Sequence, residues 1–322
     1  GLVNDRYYAS VGKTDYVTGG PVNAPVTEWG DLASDWDTFV SAGPQVIKHS
    51  LVRRLAQESG IEYDKVNAVI ASWANSSNKT PLAGLIQRTA GELFGSVQSD
   101  WQVELHTDHQ ANTPIRVEGK DISPTDVRAV LQSMYDVTQE WFRGRGITHV
   151  RLFRGCNIDE SIYNKLGGSW QPVSFDDNAL ASWSLSGGIA ERFAGYRAPS
   201  SPVVLSAVIP ADRIIATALT GFGCLDEREF VVLGSKSGEP SFAVAIDAKS
   251  LAKRPGAPFM AFTKAWEEGA HPRYPEGTPV DPDTGEGGGR FAPKQEKAPS
   301  REAQTKAGET SSNEGDEDSL PA

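Results

Sequence analysis

At Gly146 the spacing of apolar residues changes, and that change limits the chain to a small set of folds. Before it, apolar positions recur every three to four residues, the period of one helix face; after it, they alternate or run in short blocks, as in strands. From Pro44, Val46, Ile47, Leu51 and Leu55 share one helical face, and Gly60 provides a stop. A second stripe runs Val66, Val69, Ile70, Trp73. A third opens at Thr80-Pro81, a cap followed by proline at the first helical position, and continues through Leu82, Leu85, Ile86, Leu93 and Phe94. The clearest helix begins at Ser123. Pro124 follows it, Asp126 sits three residues after the cap, and the apolar face is Val127, Val130, Leu131, Met134 and Trp141. Gly144 and Gly146 end it.

Residues 147–154 alternate, and 202–209, 213–217, 228–234 and 241–247 are short β-rich runs. One helical stretch interrupts them, with Ile189, Ala190 and Phe193 on one side and Ser186 as a cap. Helices followed by strands predict an α+β protein. The opening residues 1–43 are turn-rich (Gly19-Gly20, Pro21, Pro25), show no sustained period and are read as irregular. The remaining divisions are a helical region over 44–146, a strand-rich core over 147–255 and a tail over 271–322. That tail has six Lys/Arg, eleven Asp/Glu and only two aromatics, Tyr274 and Phe291. Such a segment cannot bury enough apolar area to offset its backbone entropy, so disorder is expected there.

Charge excludes two classes of partner. The 31 basic and 42 acidic residues give a net charge of −11, and setting aside the tail's −5 leaves −6. Nucleic-acid binding rests on neutralising phosphates with Lys and Arg, and an anionic membrane attracts the same residues, so neither is expected. No apolar run approaches the roughly 18 residues of a membrane span. The first thirty residues lack a basic stretch followed by an apolar one, so no signal peptide is read there; Gly1 in place of Met leaves a preceding segment open. Cys156 and Cys224 are too few for a disulfide framework or a thiolate zinc site and are read as reduced thiols. Because they flank two of the motifs described next, a redox link across a cleft is the alternative. His106, Asp108 and His109 lack a further ligand set and are read as a solvated loop, so no metal is expected.

Three patches in the strand half carry chemistry. In Val150-Arg151-Leu152-Phe153-Arg154-Gly155, alternation puts Arg154 on one face with Val150 and Leu152. A guanidinium there needs a charged partner, either a structural carboxylate or a bound phosphate. Leu180-Ala181-Ser182-Trp183-Ser184 precedes the short helix, and either Ser184 or Ser186 could simply cap it. In Asp226-Glu227-Arg228-Glu229, followed by Phe230-Val231-Val232-Leu233, the two glutamates are expected on one strand face. Two carboxylates side by side are unfavourable unless something uses them; a solvated strand edge that discourages pairing is the alternative.

In this order the patches resemble the arginine–serine–glutamate class of mono-ADP-ribosyltransferases, which includes clostridial binary-toxin enzymes and vertebrate ecto-enzymes. That class has an aromatic-Arg at a strand end, Ser-Thr-Ser on a second strand and Glu-x-Glu entering a third; Phe153-Arg154, Ser182-Trp183-Ser184 and Glu227-Arg228-Glu229 are similar. Ala190, Phe193 and the run from Val203 to Ala211 also match its flanking pattern, so the resemblance covers roughly residues 125 to 247. Two positions depart from it. Trp183 stands where the family has Thr, and Cys224 stands where it has an aromatic, the nearby aromatic being Phe222.

The resemblance implies a two-sheet mixed β core of the ADP-ribosyltransferase type, with NAD as substrate and no metal. It implies that Glu229 stabilises the ribose cation as the nicotinamide bond breaks, that Ser182 orients Glu229, and that Arg154 holds the phosphate and ribose end. Gly155 would offer its backbone to the nicotinamide amide, with Trp183 and Ser184 lining the same site. Glu227 would bind and deprotonate an acceptor arginine of a target protein, since Glu-x-Glu accompanies arginine acceptors in the family. The alternatives are an NAD glycohydrolase, with water as acceptor, and a structural virion component with a degenerate site. The tail run from His271 to Pro279, with Gly288-Gly289-Arg290-Phe291, is similar to stretches in tailed-phage head proteins, some of which carry such transferases into the host; an ordinary Pro/Gly linker explains it as well.

Overall fold

The structure, a computed structural model, describes residues 14–42, 44–74, 80–96, 113–158, 160–166, 168–196, 201–236 and 239–252. The expected tail, and the histidines at 106 and 109, lie outside the described residues. The helices are α1 (Trp29–Ser41), α2 (Pro44–Ser59), α3 (Tyr63–Ala74), α4 (Pro81–Phe94), α5 (Pro124–Gly144), α6 (Glu160–Tyr163), α7 (Gly187–Tyr196) and α8 (Ala248–Ala252). The strands are β1 (Ile115–Val117), β2 (Lys120–Ile122), β3 (His149–Asn157), β4 (Gln171–Phe175), β5 (Leu180–Ser184), β6 (Pro202–Pro210), β7 (Ile214–Thr217), β8 (Glu229–Leu233) and β9 (Ser241–Asp247). The α+β class is as expected. No described helix is long and apolar enough to cross a membrane.

Local chemistry sets the helix starts. Thr80 accepts a hydrogen bond from the Ala83 N–H at 3.1 Å, and α4 ends at Gly95 with φ 72°. Ser123 and Asp126 form the reciprocal box at the start of α5, and Lys65 of α3 pairs with Asp126 at 3.1 Å. Within the segment expected to be irregular, residues 29–41 are helical instead. Trp29, Leu32 and Trp36 are buried at spacings of three and four, and Glu28 and Asp31 close a capping box made of acids.

β1 and β2 form a small hairpin. The other seven strands form one sheet in the order β4-β9-β6-β3-β5-β8-β7, antiparallel at every strand pair, which corrects the expectation of two mixed sheets. β3 matches β6 over nine register positions but meets β5 only at Phe153↔Ser184. The two expected sheets are therefore halves of one, hinged on a single pair. Parallel pairing appears at two isolated bridges, Asp15↔Val208 and Thr27↔Val150, where the opening segment lies along β6 and β3.

The sheet is covered on both faces. One cluster joins Tyr16, Trp29, Leu32 and Trp36 to Val150, Leu152, Trp183 and Phe230. On the other face Val66, Val69 and Ile70 of α3, Leu85 and Ile86 of α4, and Val130 and Met134 of α5 pack on Leu180, Ile215 and Val231. A third cluster seats α7 through Ala190 and Ala194 against Phe153, Val204 and Ile246. The divisions at 43 and 146 thus do not separate cores.

Candidate active site

β5 and β8 bring two of the expected residues together. Their register pairs Ser184 with Glu229 and Ser182 with Val231, so Ser182 is the same-face diagonal neighbour of Glu229. The Ser182 hydroxyl donates to Glu229 Oε1 at 2.5 Å. The Cys224 backbone N–H donates to Oε2 at 2.8 Å, and the Trp73 indole N–H donates to Oε1 at 2.9 Å. Glu229 is only 6% exposed, and these three donors compensate its carboxylate for lost water. The start of β5 is fixed by Gln87 of α4, whose side chain accepts from the Leu180 N–H at 2.8 Å and donates to its carbonyl at 3.0 Å.

Glu227 does not share a strand face with Glu229, contrary to expectation. β8 begins at Glu229, and Arg228 has φ 49°, in the left-handed region, which breaks the alternation between them. A turn takes its place: the Arg228 N–H donates to the Leu225 carbonyl at 3.0 Å. Glu227 is half-buried beside this turn, and its carbonyl accepts the Ser184 hydroxyl at 2.7 Å. Ser184 also accepts from the Ser186 N–H at 3.0 Å, so this buried serine braces strand end to loop.

The loop that carries the glutamates is held from both faces. Thr138 of α5 and Thr220 share a hydrogen bond at 2.8 Å, and the Trp36 indole donates to the Leu225 carbonyl at 3.1 Å. Within it Cys224 has its thiol pushed up to about 12, first by burial and then by the charges of Glu227, Glu229 and Asp226. Cys156 and Cys224 are not joined in a disulfide.

Trp183 is 2% exposed, meets Tyr16 edge-on at 5.7 Å and lies near Phe175 at 6.5 Å. Alternation places it on the face of β5 opposite Ser182, so its contacts are core packing rather than the lining of a shared site. Gly155 has a structural role as well. A Cβ there would stand 1.9 Å from the Ala190 carbonyl oxygen and 2.4 Å from the Ala194 nitrogen, so glycine is required for the seating of α7 on β3. Close approach of a ligand ring is not needed to explain it.

Arg154 lies in a second contact group. Its guanidinium pairs with Asp177, whose other oxygen accepts the Tyr16 hydroxyl at 2.7 Å. Burial works against the arginine's charge, but attraction to Asp177 outweighs it, so its pKa lies above the ordinary arginine value. Of the two partners read from sequence, the structural carboxylate is present. The pair stands where β3 runs on past Phe153, at a cleft of about 450 Å³ lined by the end of β3, by β4 and by the loop between β4 and β5; Ser182 and Glu229 do not line it. Cys156, Asn157, Phe175 and Asn178 line it as well.

Sequence reasoning missed Trp73, Asp177 and Tyr16. Trp73 had a signal, as the last member of an apolar stripe, but one that reads as core; Asp177 and Tyr16 had none. Among the described residues no cluster of three or more His, Cys, Asp or Glu could hold a metal ion. Comparison with protein-family models, curated proteins and solved structures finds no match to this chain.

Proposed function

We propose that this protein transfers ADP-ribose from NAD to arginine side chains of a target protein and releases nicotinamide. The observation that carries the reading is the hydrogen bond from Ser182 to Glu229, which joins the serine and the second glutamate of the motif set across adjacent strands. A fixed, buried carboxylate suits a reaction whose transition state develops positive charge on a ribose. The bond from ribose C1′ to the nicotinamide nitrogen breaks, and its electron pair leaves with nicotinamide. A guanidinium nitrogen then bonds to C1′ and gives up its proton. Free guanidinium has a pKa above about 12 and is a poor nucleophile until it loses that proton, which Glu227 would accept.

The seven-stranded sheet is, on this reading, an ADP-ribosyltransferase-type core, with one end of the dinucleotide in the cleft beside Arg154 and its nicotinamide ribose reaching Glu229. Arg154 and Asp177 together carry little net charge. A diphosphate there would be held by the remaining N–H donors of the arginine rather than by a strong field.

Nicotinamide release and label transfer from NAD to a bacterial lysate test the proposal. Glu229→Gln keeps size but removes the charge and one of the two acceptor oxygens, and should lower both activities on the order of 10²-fold or more. Near-normal turnover in a folded Glu229→Gln protein would end it. Nicotinamide release with no labelled arginine under any acceptor condition would mark a glycohydrolase instead.

A further inference from the structure

We propose that Trp73 is a positioning residue for Glu229, so that the helical region completes the active site; the inference rests on the transferase reading above. Trp73 belongs to the last turn of α3, 156 residues from the glutamate in sequence. It is half-buried, and its ring lies flat on Phe222, centroids 5.0 Å apart and planes 12° from parallel. Phe222 is itself fully buried in the loop that leads to β8. The other end of the arrangement is equally fixed. Val66 and Val69 are completely buried and Ile70 nearly so, and Lys65 ties α3 to the capping box of α5.

The indole is thus clamped by its own helix and by Phe222, with its single donor aimed at Oε1. Tryptophan has one polar atom, and a half-buried indole gains most when that N–H finds an acceptor. Here the acceptor is the carboxylate read as the reacting group, and the same oxygen takes the Ser182 hydroxyl. With the Cys224 N–H on Oε2, two donors converging on Oε1 from different elements, β5 and α3, hold the carboxylate plane more firmly than the serine hydroxyl and that N–H would alone. A carboxylate that points correctly before NAD arrives need not be reorganised in the transition state. The loss should therefore fall on kcat and leave the binding of NAD alone.

The decisive replacement is 3-benzothienylalanine at position 73, which keeps the bicyclic shape and removes only the N–H. We expect kcat for nicotinamide release to fall roughly 10-fold, the low end of what losing an orienting partner costs at comparable sites. KM for NAD should stay within about twofold, and any fall in the melting temperature should match the loss of one hydrogen bond, whereas a packing defect would disturb both more widely. Trp73→Phe should reproduce the kinetic loss. Restoring Trp at position 73 in the same preparation serves as the reference. In ¹⁵N-labelled protein the Trp73 indole N–H signal, assigned by its absence in Trp73→Phe, should lie downfield and shift upfield in Glu229→Gln.

An isosteric variant as fast as wild type, or faster because the ring had been covering the site, overturns the proposal. So does an indole signal unmoved by Glu229→Gln. If the wild type releases no nicotinamide, the transferase reading fails and takes this proposal with it, an outcome distinct from either of the others.

Discussion

The guanidinium carbon of Arg228 lies 3.5 Å from the centre of the Trp29 ring, and Arg228 is held there with a φ of 49°. A residue of α1 thus supports the one residue between the two glutamates, in a conformation that costs a side-chain-bearing residue about 1–2 kcal/mol. The stack offsets part of that cost, since such contacts contribute about 0.5–2 kcal/mol.

This gives an ordering that ordinary propensity would reverse. Arg228→Ala loses the stack and keeps the strain, while Arg228→Gly loses the stack and relieves it. Glycine is expected to be the more stable replacement by roughly 0.5–1 kcal/mol, after allowing for its greater freedom in the unfolded chain. Urea midpoints of the two variants decide it. Alanine above glycine would mean the backbone is not strained at this position.

The two glutamates should separate in function. Glu227→Gln is expected to abolish arginine modification and leave nicotinamide release in the absence of acceptor largely intact, because Glu229 keeps all three of its donors. Paired assays with and without an arginine-containing protein measure this. Equal loss in both would assign Glu227 to NAD binding, and no loss in either would make it a structural turn residue.

Gly155→Ala should unfold or badly weaken the protein, since the added methyl group would overlap the backbone of α7 rather than a movable side chain. Overpacking typically costs about 1–3 kcal/mol and more where backbone must shift, so a loss of roughly 3 kcal/mol or above is expected. Gly30→Ala is the matched control. A Cβ at Gly30 meets nothing within 4 Å, and its stability should change by less than about 1 kcal/mol. Thermal melts of both proteins provide the comparison.

Cys224 should resist alkylation. With its thiol pushed up to about 12, its thiolate fraction at pH 8 is on the order of 10³-fold below that of an ordinary thiol near 8.5. Iodoacetamide labelling of a Cys156→Ser protein should still be rising with pH near 10, where an ordinary thiol has levelled off. Glu227→Gln removes one of the charges that raise it and should speed the labelling. A Cys224 that labels at the ordinary rate at pH 8 would contradict the burial and charge described for that loop.

The parts of this architecture that were legible in sequence are those governed by neighbours along the chain. Thr80-Pro81 and Ser123-Pro124 with Asp126 announce α4 and α5, because caps act within four residues. The Ser182–Glu229 contact was expected only through the resemblance to known enzymes. α1 was missed although Trp29, Leu32 and Trp36 have helical spacing, because a glutamate, Glu28, fills the cap position usually taken by Ser, Thr, Asp or Asn. β4 was missed because Gln171 to Phe175 contains a proline and has only one buried residue, Val173, as befits an edge strand. The partners of the site were beyond reach for a different reason. Tyr16 meets Asp177 across 161 residues and Trp73 meets Glu229 across 156, distances over which no local pattern operates.

β9 is the last strand among the described residues, yet it lies between β4 and β6 rather than at an edge. During synthesis, therefore, β4 has no partner in this sheet and β6 keeps an open side until residues 241–247 have emerged. The opening segment waits too, for the Phe242 N–H that donates to the Tyr16 carbonyl at 3.1 Å. Assembly governed by such distant contacts is slow, and its unpaired edges invite association with other chains in the meantime. A ribosome that stalls before Ser241 would leave a chain with all of the proposed catalytic residues and no means of closing the sheet around them.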